Sequence, residues 1–331
     1  MTGSLPALDD VLDRMRVVAI PLHTRFRGQT VRESVVLEGP VGATEFCPFP
    51  EYADEEAASW LRATIEFGWT EPPAPLRDEV WVNATLPAVP ADAVAEVLSR
   101  YDGCRTVKVK VAEQGQTLDD DVARVRETRR ILGPEGRLRL DANGGWNVDE
   151  AEHAIRTLEP YDLEYVEQPC ATVDELAQVR SRIRDLGIPV AADESVRKAS
   201  DPLAVARAGA ADLLVIKAQP LGGVRRALEI VEAAGLPAVV SSALETSVGI
   251  AMGAALAAAL PSLEQDCGLA TVDLFTGDVV RESLVPRGGR IRVRRPELDH
   301  ELVERYAASP ERAEWWRARV ARSHALLAAV A

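Results

Sequence analysis

The sequence predicts a modified TIM barrel of (β/α)7β type, with a discontinuous α+β capping domain drawn from the N- and C-terminal segments. Three observations carry that prediction. From about residue 80 to 285, short apolar runs alternate with amphipathic stretches, a pattern that demands a parallel sheet. Six of the runs end in a polar or ionisable residue: Lys110, Asp141, Glu167, Asp193, Lys217 and Ser241. These follow one another at 31, 26, 26, 24 and 24 residues, the length of one strand plus one helix. The expected boundaries are 1–80 and 286–331 for the cap and 81–285 for the barrel.

Along residues 15–38, MRVVAIP and TVRESVVLE read as two strands around the polar turn His23–Gln29. Asp54 is placed to N-cap a helix running to about Phe67. Pro72, Pro73 and Pro75 then mark a boundary. Beyond it come the strand candidates WVNATL, TVKVK, LRLD, YVE, PVAAD, LLVIK and AVVSS. Between them lie helical stretches at 91–101, 118–132, 148–158, 173–186, 202–208, 224–234 and 248–260. An eighth strand is expected near Gly268–Ala270. The tail returns to a strand, GGRIRVR at 288–294, and a polar helix after Pro296, both expected to pack on the N-terminal piece.

Composition narrows the function. The 331-residue chain carries a net charge of −14, which argues against nucleic acid or an anionic membrane as partner. Four cysteines without metal-ligand spacing read as reduced thiols in a cytoplasmic protein. The start lacks the basic and apolar regions of a signal peptide. The uncharged stretch 246–263 fits a buried barrel helix rather than a membrane span. The pattern needs no second copy to complete a site, so a monomer is preferred.

Strand ends in a parallel barrel converge on one mouth. Lys108 and Lys110 share a strand face, opposite Val107, Val109 and Val111, so both lysines point inward. Neighbouring buried ammoniums oppose one another's ionisation, and a lysine driven toward neutrality can serve as a general base. Asp141, Glu167 and Asp193 come from three successive strand ends. Converging carboxylates call for a cation, and oxygen-only ligands favour Mg²⁺, with Mn²⁺ as a substitute. Salt bridges to Lys108, Lys110 and Lys217 are the alternative. The order Lys, Asp, Glu, Asp, Lys around the ring suits proton abstraction beside the carboxylate of a small-molecule substrate.

The ordered motifs KVK, LDANGGW, VEQP, ADES, IKAQPLGG and SSALETSVGIA resemble the muconate-lactonizing subgroup of the enolase superfamily. SSALETSVGIA, DCGLAT and EFCPFPEYADEE are similar to the dehydratases of that subgroup. The resemblance implies that Asp141, Glu167 and Asp193 bind Mg²⁺, with Asn143 supporting them. It implies that Lys110 takes the α-proton and returns it to a departing hydroxyl, while Lys108 lowers the proton affinity of Lys110. Lys217 would steady the developing anion. Ser241, Ser242, Gly222 and Gly223 would hold a succinyl group of the substrate.

The loops at 23–29 and 45–52 would close the mouth. Phe46, Phe49 and Tyr52 are either pocket lining or interdomain core. Arg25, Arg27 and Arg32 are candidates for a substrate carboxylate, and His153, His300 and His324 are expected at the surface. Competing chemistries are racemisation of N-acyl amino acids, dipeptide epimerisation, muconate cycloisomerisation and a Schiff-base aldolase at Lys217. EQDCGLATVD lacks the DxD pair expected of an epimerase, and the carboxylate triad argues against an aldolase.

Overall fold

The computed structural model describes residues 5–26, 28–197 and 201–329. Its first part holds α1 (Leu8–Asp13), β1 (Met15–Phe26), β2 (Gln29–Glu38), β3 (Ala43–Phe46) and α2 (Asp54–Trp69). The three strands form an antiparallel meander with Val17 facing Val35 and Val35 facing Phe46. Asp54 is the first helical residue of α2 rather than its cap, which is Ala53. The Asp54 carboxylate instead accepts from Arg322 Nε at 2.5 Å, tying the helix start to the far end of the chain.

β4 (Glu79–Trp81), β5 (Ala84–Leu86), α3 (Val94–Leu98), β6 (Thr106–Lys110), α4 (Leu118–Leu132), β7 (Arg137–Asp141), α5 (Val148–Leu158) and β8 (Leu163–Glu167) follow. Next are α6 (Val173–Arg182), β9 (Val190–Ala192), α7 (Glu194–Arg197), α8 (Ala204–Arg207), β10 (Leu213–Ile216), α9 (Val224–Ala234), β11 (Ala238–Val240) and α10 (Ser247–Ala259). β5 to β11 make one parallel sheet in chain order. The starts of α4, α5 and α6 carry the local signal that sequence chemistry supplies. Thr117, Asn147 and Thr172 each close a capping box with the acidic residue three positions on.

The eighth strand is shorter and earlier than expected. Cys267 bridges Val82 and Gly268 bridges Ser241, so two residues join the sheet's edges into a closed barrel. Cys267 N–H donates to Trp81 O at 2.7 Å and Gly268 N–H to Val240 O at 2.8 Å. Residues 271–274 then coil into a 3₁₀ turn. WVNATL also divides: its Trp81 end belongs to β4, which pairs with β12 (Arg290–Arg292), Val82 meets Cys267 at the barrel's closure, and Ala84–Leu86 pairs with β6. The tail strand therefore packs on the barrel, where Ile291 joins the barrel core, and not on the N-terminal piece. α11 (His300–Arg305) and α12 (Pro310–Ala328) do return to the cap: Trp316 meets Phe46 edge-on, ring centres 6.0 Å apart.

Two apolar cores result, one between barrel strands and helices, the other inside the cap. The cap core also takes in Ala243, Leu244, Val248, Leu274 and Phe275 from the barrel, so the domains share a seam. α10 is buried on every side except at Ala259, as its uncharged, almost wholly apolar sequence requires. Among the described residues no helix is long and apolar enough to cross a membrane. All four cysteines are free thiols.

Candidate active site

β6, β7 and β8 lie in register so that Lys110 faces Asp141 and Asp141 faces Glu167 across the sheet. Asp193 and Lys217 follow directly after β9 and β10. All these groups except the partly exposed Lys110 are buried. The valines alternating with the two lysines pack in the helix-facing core, as strand parity demands.

The carboxylates and ammoniums interlock. Lys108 Nζ lies 3.1 Å from Glu167 Oε2 and 3.3 Å from Asp141 Oδ2. Lys110 Nζ donates to Asp141 Oδ2 at 2.5 Å and to Asn143 Oδ1 at 2.8 Å. Lys217 Nζ donates to Asp193 Oδ2 at 2.5 Å, and Arg197 Nε to the other oxygen at 2.9 Å. Burial opposes charge on Lys108, yet Glu167 and Asp141 outweigh it and raise its proton affinity. Lys110 goes the other way: burial, aided by the Lys108 charge, prevails over Asp141 and lowers its pKa. Burial and then the Asp141 charge push Glu167 up to about 7. For Asp141 and Asp193 burial is overcome by the lysines, and both are held well below the usual carboxylate range.

Among the described residues no three acidic, His or Cys side chains stand together as a ready ligand set, because ammoniums sit between the carboxylates. The donor chemistry nonetheless suits a hard cation: three buried carboxylates from adjacent strands, with the central one driven toward protonation by burial and the Asp141 charge. Asn143 touches the same set, and its Nδ2 donates to Glu194 Oε1 at 3.3 Å. Glu194 otherwise pairs with Arg197 at 2.6 Å, so Asp193 is the member of that pair facing Lys217.

The pocket over these groups is lined by Phe26, Phe49, Thr85, Lys108, Lys110, Asn143, Lys217, Ser241, Ser242, Ala243, Leu244, Gly268 and Thr271. Its free volume is about 30 Å³, room for only a few waters at most. A second cavity of about 360 Å³ borders Phe26, Lys110 and Asn143 from the side of Arg25 and Pro87–Pro90. Lys110 thus stands between a tight inner chamber and a roomier outer one, with the Phe26 ring 5.6 Å from its Nζ.

The remaining candidates divide. Ser241 and Ser242 line the pocket, although the Ser242 hydroxyl is committed to Gly268 O at 2.6 Å. Arg25 lines the outer cavity. Phe46 is wholly buried against Trp316 in the cap core, and Phe49 takes the lining position instead. Gly222 and Gly223 lie outside the pocket lining. They serve the domain contact, where an added Cβ on Gly223 would fall 1.8 Å from Glu66 Oε2. Arg32 is buried at the domain seam, and Arg27 lies outside the described residues. His153 and His300 are exposed, while His324 is half-buried with Nε2 2.8 Å from Pro6 O.

Several functional positions escape motif reading. Gln168 is buried directly after Glu167 and accepts from the Asp193 amide at 3.0 Å, bracing two strand ends at once. Arg197, one helical turn beyond Asp193, also reaches Tyr52 Oη of the cap at 3.2 Å; the four-residue spacing was its only signal. Ala112, Asn143, Gln168 and Leu244 have positive φ, each within three residues of a strand-end group. Such left-handed turns cost about 1–3 kcal/mol in a non-glycine residue and cluster where geometry is set for function.

With lysines and carboxylates at the C-terminal strand ends of a parallel barrel under an α+β cap, the chain belongs to the enolase superfamily. Residues 91–297 match the enolase C-terminal domain-like family and residues 17–68 the enolase N-terminal domain-like family. The muconate lactonizing enzyme of Pseudomonas putida shares the fold, with TM-score 0.73 and 21% identity over 89% of this chain and 98% of that one. An N-succinyl Arg/Lys racemase from Bacillus cereus does so at TM-score 0.73 and 19% identity, over 89% and 97%.

Sequence likeness is far higher elsewhere. The o-succinylbenzoate synthase of Mycolicibacterium smegmatis is 52% identical over 328 residues, 99% of this chain and 100% of that protein. That of Thermobifida fusca is 53% identical over 313 residues, 94% and 96% of the two. Within the superfamily the chain belongs to the o-succinylbenzoate synthases, a family of carbon–oxygen lyases.

Proposed function

We propose that the protein catalyses the Mg²⁺-dependent syn-dehydration of 2-succinyl-6-hydroxy-2,4-cyclohexadiene-1-carboxylate to o-succinylbenzoate, a step of menaquinone biosynthesis in the cytoplasm. The observation that supports this most is Lys110: an amine of lowered proton affinity bordering both chambers, with the carboxylate set on one side and Lys217 beyond it.

Asp141, Glu167 and Asp193 would hold the Mg²⁺, with Asn143 beside them. When bound, the cation would supply positive charge to the substrate carboxylate as its α-carbon loses a proton. Lys110 Nζ, unprotonated, takes that proton. The same ammonium then gives it to the hydroxyl on the same face, the C–O bond breaks, and water leaves as the ring becomes aromatic. Lys108 keeps its own proton between Glu167 and Asp141, and its charge keeps Lys110 from holding one firmly. Lys217 steadies the negative charge that develops. Lys108 pairs with Glu167, and Arg197 with Asp193 and Glu194, so the carboxylates of the set are met by cations on both flanks of Lys110.

Lys110→Ala should lower kcat by at least the 10²–10⁴-fold typical of a lost general base, with the far-ultraviolet spectrum unchanged. Turnover within tenfold of wild type would exclude Lys110 as the base. The wild-type enzyme should also prefer the cyclohexadiene substrate to N-succinyl amino acids in kcat/KM. The reverse preference would make racemisation, with Lys110 and Lys217 as opposed bases, the better reading.

A further inference from the structure

Arg32 belongs to the cap, on β2, yet its guanidinium ends in the barrel wall. It is 1% exposed. Nε donates to Leu244 O at 3.0 Å, and Nη2 reaches Ala243 O at 3.4 Å and also Cys47 O. Its Cζ sits 4.1 Å over the Phe49 ring. Ala243 and Leu244 form the turn after β11, Cys47 and Phe49 the loop after β3, and three of these four line the pocket. One side chain therefore joins two pocket walls that no covalent connection holds together.

One feature sets these contacts apart from packing. Leu244 has φ +62°, a left-handed conformation that costs a non-glycine residue, and Arg32 holds it there by donating to the Leu244 carbonyl. Two buried carboxylates flank the clamp. Glu45, one position before Phe46, accepts from Gly249 N at 2.7 Å and Thr246 Oγ1 at 2.7 Å at the start of α10. Glu245 accepts from Ala243 N at 3.1 Å and Gln219 Nε2 at 3.2 Å.

We propose that Arg32 is a specificity-determining positioning residue: it locks the Ala243–Leu244 turn against Phe49, and so fixes the pocket wall on the β11 side against which the succinyl-bearing part of a dicarboxylate substrate rests. The proposal builds on the function above for the nature of the substrate. It predicts a loss concentrated in ground-state recognition, since Arg32 touches neither lysine station.

The test compares wild type, Arg32→Lys, Leu244→Gly and the double variant. Lysine keeps the charge between Glu45 and Glu245 but cannot span three carbonyls. Glycine adopts positive φ freely and relieves the need for the clamp. Arg32→Lys should raise KM for the cyclohexadiene substrate, and Kd for o-succinylbenzoate measured by calorimetry, about tenfold, with kcat within threefold. Leu244→Gly in that background should recover at least half of the loss on a logarithmic scale. An unchanged KM and Kd, an equal fall in kcat with KM constant, or strictly multiplicative effects in the double variant would overturn the proposal. If Arg32→Lys does not fold, Arg32→Gln, which keeps a donor for one carbonyl only, is judged by the same KM, Kd and kcat criteria, and an unchanged KM and Kd in it overturns the proposal. A wild-type protein that binds o-succinylbenzoate but does not form it would refute the proposed function, while the Kd comparison would still judge Arg32.

Discussion

Replacing Lys108 with Met should separate its electrostatic role from its packing. Methionine keeps the unbranched stem and removes the ammonium that lies 3.1 Å from Glu167 and 3.3 Å from Asp141. Asp141 retains Lys110, but Glu167 is left fully buried without its ammonium. Breaking a buried pair from one side costs about 3–5 kcal/mol. For 331 residues at about 2.1 cal/mol/K each, the unfolding entropy is about 0.7 kcal/mol/K. The chelated variant should therefore melt about 4–7 °C below chelated wild type. Mg²⁺ at 100 times its Kd returns about 2.7 kcal/mol, or about 4 °C. The variant should gain more from Mg²⁺ than wild type, in which the cation competes with Lys108. Calorimetric melts in chelator and in saturating Mg²⁺ give both quantities. A fall below about 2 °C without metal, or equal gains in the two proteins, would refute the assignment of Glu167 to a cation site shared with Lys108.

Two further outcomes follow from the same geometry. Gly223→Ala sets a Cβ 1.8 Å from Glu66 Oε2 at φ +123°, and should cost at least about 2 kcal/mol in urea unfolding; Glu66→Ala should return only the steric part. Burial, then the Glu45 charge, pushes Glu245 up to about 7 from 4.5. The folded state thus binds more protons than the unfolded one between pH 4.5 and 7. The stability this confers is complete below pH 4.5 and is lost as pH rises to 7, by about 3 kcal/mol. Glu245→Gln should flatten that slope in denaturation midpoints across pH, and an unaltered slope would show that Glu245 titrates normally.

The barrel and its mouth were legible because strand parity and spacing are local facts. Lys108 and Lys110 had to share a face, and Asp141, Glu167 and Asp193 had to end successive strands. The cap loops were not legible in the same way. Phe46 ends β3 and Phe49 lies three residues on in the loop that follows, and only tertiary contact decides that the first meets Trp316 while the second meets the pocket. Gly222 and Gly223 looked like ligand-cradling glycines, but they exist to let α2 approach α9, a requirement set by residues 150 positions earlier. The short eighth strand likewise depends on what the barrel's two edges offer rather than on its own propensity.

The division of the cap between the two ends of the chain has a consequence for synthesis. Phe46 emerges early, but Trp316, which packs edge-on against it, is translated 270 residues later. At about 5–20 residues per second that interval is roughly 10–50 s. Throughout it the nascent chain displays an apolar face whose complement does not yet exist, while the barrel is assembling beside it. The cap core can therefore close only after the last helix has been made.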